Sequence, residues 1–520
     1  MGLRKLFILL WGFIGTGGLA LAQQQGLAAI DTADLKKHLR FIASDELQGR
    51  CLGTPADGLN RAADYIAANA RRLDLQAGVP GYFQPVDMVV QEADPGNFVK
   101  VTNSRGRLRY ESDALVELSA SGETRLLADM PVVLVGFGEN LVAADMRGKA
   151  LVVSAGTKKE FARGRFRWNN RLEQSKIDSL ALLNPEIIFI VSCCRDDRNT
   201  IFKQLKMWRG RKRFLLEKKD VAETVTAVLV LPEFADALLG GKGKYRKYLN
   251  RIAADESSAL LPITGKSVRA KTGRLSTAVD AKNVVALLPG SDPDLQDEYV
   301  VFMAHYDHLG LDESGEVYNG ADDNGSGTVT VMEVAEAFAA LDERPRRSLV
   351  FLWVTGEEIG MLGSEYYTTN PVFPLDKTVA CFNLDMVGRV FEARDSVWNQ
   401  SPKRVKDFDG LYTLSNSLSP ELVQINLKYC HQLHLKPDTT LPSSFLWSSD
   451  HYHFHKNGIP VMNYATGYHA DYHEVEDEVE KINFLKMKRV AELCFLVGLE
   501  VANEPVLERH PPNQKNGGQP

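Results

Sequence analysis

An α/β fold is predicted, with a mostly parallel twisted sheet covered by helices on both faces and a β-rich insertion. Three observations predict it. From about Asn283 onward, uninterrupted apolar runs (YVVFMA, SLVFLWV, VACFNL, IPVMNYA) alternate with helix-length segments, as expected for strands buried on both faces. Histidine and carboxylate side chains stand directly after several of these runs, where open α/β sheets gather their ligands. Between about 96 and 275 the alternation stops, and short β-type runs (MPVVLVGFG, KALVVSAG, EIIFIVS, TAVLVLP) lie between charged turns. At 520 residues the chain is long for a single domain, so two or three are expected.

The elements follow in order. Arg4 and Lys5 precede the apolar run LFILLWGFIGTGGLALA, and Ala20–Leu21–Ala22 offers a small-x-small cleavage point before Gln23. This is the layout of a signal peptide spanning 1–22, and it predicts export to a periplasm or the medium. Residues 23–95 form the first part of the main domain; DTADLKKHLRFIASDEL and GLNRAADYIAANARRL carry apolar residues at helical spacing. Residues 96–275 form the insertion, and the basic stretch from Lys203 to Lys219 inside it reads as a solvated face. Residues 276–503 complete the main domain, with helices expected from Gly325 to about Leu341 and from about Ile482 to Ala502. The polar, proline- and glycine-rich tail 504–520 predicts disorder. A net charge of −6 with 25% charged residues points to no nucleic-acid or membrane partner, and no later stretch is apolar enough to span a bilayer. Six cysteines without CxxC or framework spacing predict no disulfide scaffold.

Five ligand-type residues are distributed as a pair of zinc ions would require: His305, Asp322, Glu358, Asp385 and His473, with Glu357 as a spare carboxylate. His305 follows YVVFMA, Glu357 and Glu358 follow SLVFLWV by a short turn, and Asp385 ends VACFNL. Each has a plainer reading alone. Asp322 and Asp323 can cap a helix, the glutamates can be a solvated pair, and His469 competes with His473. Asp385 is costly to bury after an apolar strand without a partner. Four elements converging on one rim outweigh these separate explanations. The mixed nitrogen and oxygen set, without thiolate, suits zinc.

The motifs DELQGR, KNVVALLPGSDP, AHYDHLG, NGADDNGSGT, GEEIGMLGSEYY, NLDMVGR, SSDHYHFHKNGIPVM and YHEVED resemble those of the co-catalytic di-zinc aminopeptidases and their superfamily, from about Ile30 to Asn97 and from Asn283 to Glu504. The insertion is similar to the protease-associated domain often found there, most clearly at VVLVGFGENLVAADMRGKALVV. The resemblance implies a zinc-peptidase fold acting on peptide substrates, with two zinc ions per chain. It implies that Asp322 bridges them across a cis Asp322–Asp323 peptide, that His305 and Asp385 complete one site, and that Glu358 and His473 complete the other. His473 rather than His469 matches because Asp477 stands four residues after it. Glu357 would be the general base, Asp307 would accept the free N–H of His305, and Tyr472 would donate to the oxyanion. His451, His453 and His455 are expected in the wall of the pocket, with Asp450 lining it. Cleavage at the free amino end is expected; a carboxypeptidase or dipeptidase of the same superfamily, or a non-catalytic, receptor-like or binding member, is the alternative.

Overall fold

The computed structural model describes residues 19–119, 124–139, 146–164, 168–192, 200–209, 212–217, 225–254, 260–390 and 408–504. Residues 1–18 of the expected leader, most of the expected disordered tail, and Cys193 and Cys194 lie outside them. Residues 19–29 form one helix across the expected cleavage point, and the Gln23 side chain donates to the Tyr429 hydroxyl at 2.9 Å. Among the described residues, Cys51, Cys381, Cys430 and Cys494 are free thiols, and no helix is long and apolar enough to cross a membrane.

The chain divides into two units, Met1–Met88 with Val279–Pro520, and Val89–Ala278. In the first unit the elements are α1 (Thr32–Ile42), α2 (Gly58–Arg72), β1 (Lys282–Leu288), β2 (Tyr299–His305), α3 (Gly327–Ala339), β3 (Ser348–Val354), α4 (Leu362–Thr369), β4 (Thr378–Leu384), β5 (Gly410–Ser415), α5 (Pro420–Gln432), α6 (His451–Lys456), β6 (Val461–Ala465) and α7 (Phe484–Asn503). The main sheet runs Gln76–Ala77, β1, β3, β2, β4, β6, β5 and Lys436–Asp438, with Phe83–Pro85 also paired to β1. β3, β2, β4 and β6 are mutually parallel, whereas β1 and β5 join them antiparallel. The four central strands thus form one parallel run, and β5 pairs in parallel with Lys436–Asp438 at the far edge. Because these four point the same way, their carboxyl ends share one rim. His305 lies opposite Val354, and Leu384 opposite Tyr464.

Alternation along each strand sends successive side chains to opposite faces. Val300, Phe302 and Ala304 face the core shared with Phe338 of α3 and Phe495 of α7. Val301 and Met303 face the other core, with Tyr367 of α4 and Phe454 of α6. The Phe302 ring lies between Phe338, Phe351 and Phe382 at centroid distances of 5.4, 5.5 and 5.2 Å.

The second unit has an eight-stranded sheet in the order Leu108–Ser112, Phe98–Asn103, Leu261–Thr272, Arg125–Leu134, Ala150–Ser154, Ile187–Val191, Ala227–Val230 and Leu115–Ser119. It also carries helices Asn170–Ala181, Thr200–Arg209, Pro232–Leu239 and Lys244–Ala254, where the sequence suggested chiefly strands. The reason is topological. Arg125–Leu134, Ala150–Ser154, Ile187–Val191 and Ala227–Val230 pair in parallel, and parallel neighbours need crossover connections that helices supply.

Two outcomes are expected. Truncating Phe302 to Ala should destabilise the first unit by about 3–5 kcal/mol in chemical denaturation, because the sheet cannot close over the space. Glu333 on α3 is buried, with one carboxylate oxygen accepting from the Asp31 amide at 2.5 Å and the other lacking a hydrogen bond. Burial pushes its pKa from 4.5 up to about 8. Its folded pKa lies above the unfolded one, so its contribution is complete below pH 4.5 and is lost as pH climbs through about 8. Glu333→Gln should therefore gain stability over the unaltered protein across that window, measured as the pH dependence of the denaturation midpoint.

Candidate metal centre

The rim formed by β2, β3, β4 and β6 delivers the candidate ligands. His305 is the last residue of β2; Glu357 and Glu358 sit in the turn after β3; Asp385 follows β4; His469 and His473 lie in the segment after β6. The turn Ala321–Ser326 brings Asp322 and Asp323 against the same rim just before α3. Gly327 opens α3 where a Cβ would stand 2.2 Å from the Leu384 carbonyl oxygen, so the helix start can press on the end of β4 only without a side chain. Asn324 closes that junction, donating to the Leu384 carbonyl at 2.9 Å and accepting from the Gly327 and Met386 amides.

The two oxygens of Asp323 face different partners. Oδ1 is 3.5 Å from His305 Nε2, which is also 3.5 Å from Asp385 Oδ1. Oδ2 is 3.0 Å from His473 Nε2, which is 3.1 Å from Glu358 Oε2. Although these atoms are close, His473 Nε2 and Asp385 Oδ1 make no hydrogen bond. Lone pairs of two imidazoles and three carboxylates therefore converge on two adjacent points, as a pair of cations needs. The donor atoms of His305, Asp323 and Asp385 lie within 4.8 Å of one another, as do those of His308, Asp323 and Glu358.

The shared carboxylate is Asp323, which corrects the expectation for Asp322. Asp322 is turned away: its Oδ1 accepts from the Gly388 amide at 2.7 Å, and its Oδ2 faces His469 Nε2 at 3.3 Å. The cis bond is likewise Asp323–Asn324, not Asp322–Asp323. Two adjacent aspartates in a turn point opposite ways, and composition does not say which faces the rim. His473, and not His469, reaches the Asp323–Glu358 pair.

Other contacts hold the set. Asp477 Oδ2 accepts from the amides of Asp322 and Asp323 at 2.9 and 3.0 Å, and Asp477 Oδ1 lies 3.4 Å from Arg389, which also pairs with Asp471 at 2.6 Å. The carboxylate of Asp307 accepts from the amides of Glu357 and Glu358 at 3.2 and 3.3 Å. The nearer acceptor for His305 Nδ1 is the main-chain carbonyl of Asp307 at 3.3 Å, with its carboxylate at 3.6 Å. His308, which sequence reasoning passed over, has Nδ1 2.7 Å from Glu358 Oε1. Its place three residues after His305 in AHYDHLG was the available signal. The Tyr472 ring stacks on His473 at 3.8 Å and 21°, and Tyr468 meets Tyr472 edge-on at 4.8 Å.

Asp450 does not line an open surface as expected. It is 0% exposed, and its Oδ1 accepts from the Ser364 hydroxyl at 2.5 Å. Of the three nearby histidines, His451 is fully buried, with Nε2 3.0 Å from the Phe445 carbonyl, so it belongs to the packing of the wall.

The adjacent glutamates are driven apart. Burial pushes Glu357 well above the ordinary carboxylate range, with Asp450, Asp385 and Glu358 adding to it and His305 opposing. Burial acts on Glu358 too, but hydrogen bonds from His308 and His473 outweigh it and hold Glu358 below that range. Burial raises Asp450 to about 7. A protonatable carboxyl therefore stands beside one held as carboxylate.

Residues 283–497 match the model of peptidase family M28. Leupeptin-inactivating enzyme 1 of Streptomyces exfoliatus is 30% identical over 207 residues, 40% of this chain and 40% of that enzyme. Leucine aminopeptidase 1 of Phaeosphaeria nodorum is 28% identical over 273 residues, 49% of this chain and 66% of that protein. The chain thus spans between two-fifths and two-thirds of these curated relatives. The solved structure of an aminopeptidase from Aneurinibacillus sp. strain AM-1 aligns at 17% identity with a TM-score of 0.49, over 94% of this chain and 98% of that one. The stretch similar to peptidase family M28, residues 283–497, carries His305, Asp323, Glu357, Glu358, Asp385 and His473.

Proposed function

We propose that the protein is an exported zinc metallopeptidase that removes residues from the free amino end of peptides. One observation carries the reading: Asp323 presents one oxygen to the His305–Asp385 pair and the other to the His473–Glu358 pair. Residues so placed would hold two zinc ions, with Asp323 shared between them. The nitrogen and oxygen donors, without a cysteine among them, fit that metal. When bound, zinc supplies Lewis acidity that acidifies a water molecule and polarises the scissile carbonyl. The relatives named leucine aminopeptidase support the amino-end choice. The leader-like sequence before Gln23 supports export.

The protein's own groups then have distinct tasks. Glu357 is outside both donor pairs, and its raised affinity for a proton suits a group that takes one from the attacking water and passes it to the leaving amine. Asp307 fixes the Glu357–Glu358 turn through both amides, which keeps the base and the ligand in register. Tyr472 pins the His473 ring, and its phenol is the donor assigned to the oxyanion. His308 holds one oxygen of Glu358, leaving the other for the metal.

Glu357→Gln should keep its zinc by elemental analysis while kcat falls by about 10²–10⁴-fold, the usual worth of a general base. Asp323→Asn should lose zinc from both positions, whereas Asp322→Asn should retain it, measured as stoichiometry after dialysis. Aminoacyl chromogenic substrates should be hydrolysed and N-acetylated peptides left intact. Cleavage of the blocked peptides alone would transfer the same centre to a carboxypeptidase, and zinc without turnover on either set would favour a binding member.

A further inference from the structure

Arg50, outside the M28 match, ends the turn Asp45–Arg50 and is 1% exposed. A buried guanidinium must be satisfied or it costs heavily. Here it donates to the carbonyls of Tyr306 (Nε, 2.9 Å), Ile42 (Nη1, 2.6 Å), Asn319 (Nη1, 2.7 Å) and Gly320 (Nη2, 3.0 Å). Its own carbonyl accepts from the His308 amide at 3.3 Å. These partners are not scattered. Tyr306 follows the ligand His305 on β2, Asn319 and Gly320 lead into the turn that carries Asp323, and Ile42 ends α1, where a helix leaves carbonyls unpaired and favours a cation.

The approach is built into the backbone. Gln48, Gly49 and Arg50 have φ of 44°, 67° and 48°, a left-handed run that persists only where its surroundings enforce it. At Gly49 a Cβ would stand 2.4 Å from the Gly310 carbonyl oxygen and 2.6 Å from that of Tyr318. Burial lowers the Arg50 pKa to about 10, with Asp307, Asp323, Asp477 and Glu358 acting the other way, so the group stays charged at neutral pH.

We infer that Arg50 is a positioning residue of the metal centre: by clamping the end of β2 to the loop before Asp323, it sets the separation of His305 from the shared carboxylate. Lysine keeps the charge but has three donors on one nitrogen in place of the planar fork, so it cannot serve all four carbonyls at once. The inference rests on the zinc reading proposed above.

The test compares the full chain with Arg50→Lys, Arg50→Gln and a control, Leu422→Ala, which removes a fully buried side chain on α5. Zinc affinity is read by competition with a chromogenic chelator, and site geometry by the visible spectrum of the cobalt-loaded protein. Arg50→Lys and Arg50→Gln should weaken zinc by about 10–100-fold, the usual cost of losing a group that orients a ligand. Their cobalt spectra should change, while Leu422→Ala loses stability but keeps both readouts. If Arg50→Gln fails to fold, Arg50→Lys decides. Zinc affinity and cobalt spectra that match the unaltered protein in the Arg50 variants would overturn this inference alone. An unaltered protein that binds no zinc would overturn it together with the reading beneath it.

Discussion

The carboxylate of Asp323 has to present its two oxygens to two separate imidazole–carboxylate pairs, and much of the surrounding structure serves to hold it there. Its amide is fixed by Asp477, the following Asn324 ties the loop to the end of β4, and Gly327 lets α3 begin against that strand. On the opposite side, Asp322 spends its carboxylate on the Gly388 amide and the His469 ring, so it braces the turn. The four parallel strands supply the rest, since only a common direction puts the side chains that follow β2, β3 and β4 at one edge.

Such a centre gathers Asp307, Asp322, Asp323, Glu357, Glu358, Asp385, Asp450 and Asp477 into a small region, much of it removed from water. Like charges at low exposure repel, and the protein answers in three ways. Arg389 and Arg50 bring positive charge from behind. Main-chain amides meet Asp307, Asp322 and Asp477. Glu357 and Asp450 bind protons more tightly than free carboxylates do, because burial penalises their charged forms. Cations bound at Asp323 would complete the compensation.

Much of this was legible from residue order. Apolar runs ended by His305 and Asp385, or followed after two turn residues by Glu357, located the rim, because a strand buried on both faces has little room for polar groups except at its end. The register of the aspartate turn was not legible: Asp322 and Asp323 are chemically identical, and only the path of the backbone through Ala321–Ser326 decides between them. Asp450 was expected to line the pocket because the resemblance places SSDHYHFHKNGIPVM beside it, yet the residue is completely buried at the start of α6. Arg50 stands within DELQGR, but its partners at 306, 319 and 320 are distant in sequence, and hydrogen bonds to carbonyls leave no trace in side-chain type. The helices of the second unit were underestimated because its short apolar strands dominate the pattern, while the crossovers between them are charged and uneven.

The most direct test of the centre is anomalous diffraction at the zinc absorption edge from crystals of the zinc-loaded full chain. The account predicts two peaks flanking Asp323, one against His305 and Asp385 and the other against His473 and Glu358. A single peak, or density between Asp322 and His469, would contradict it.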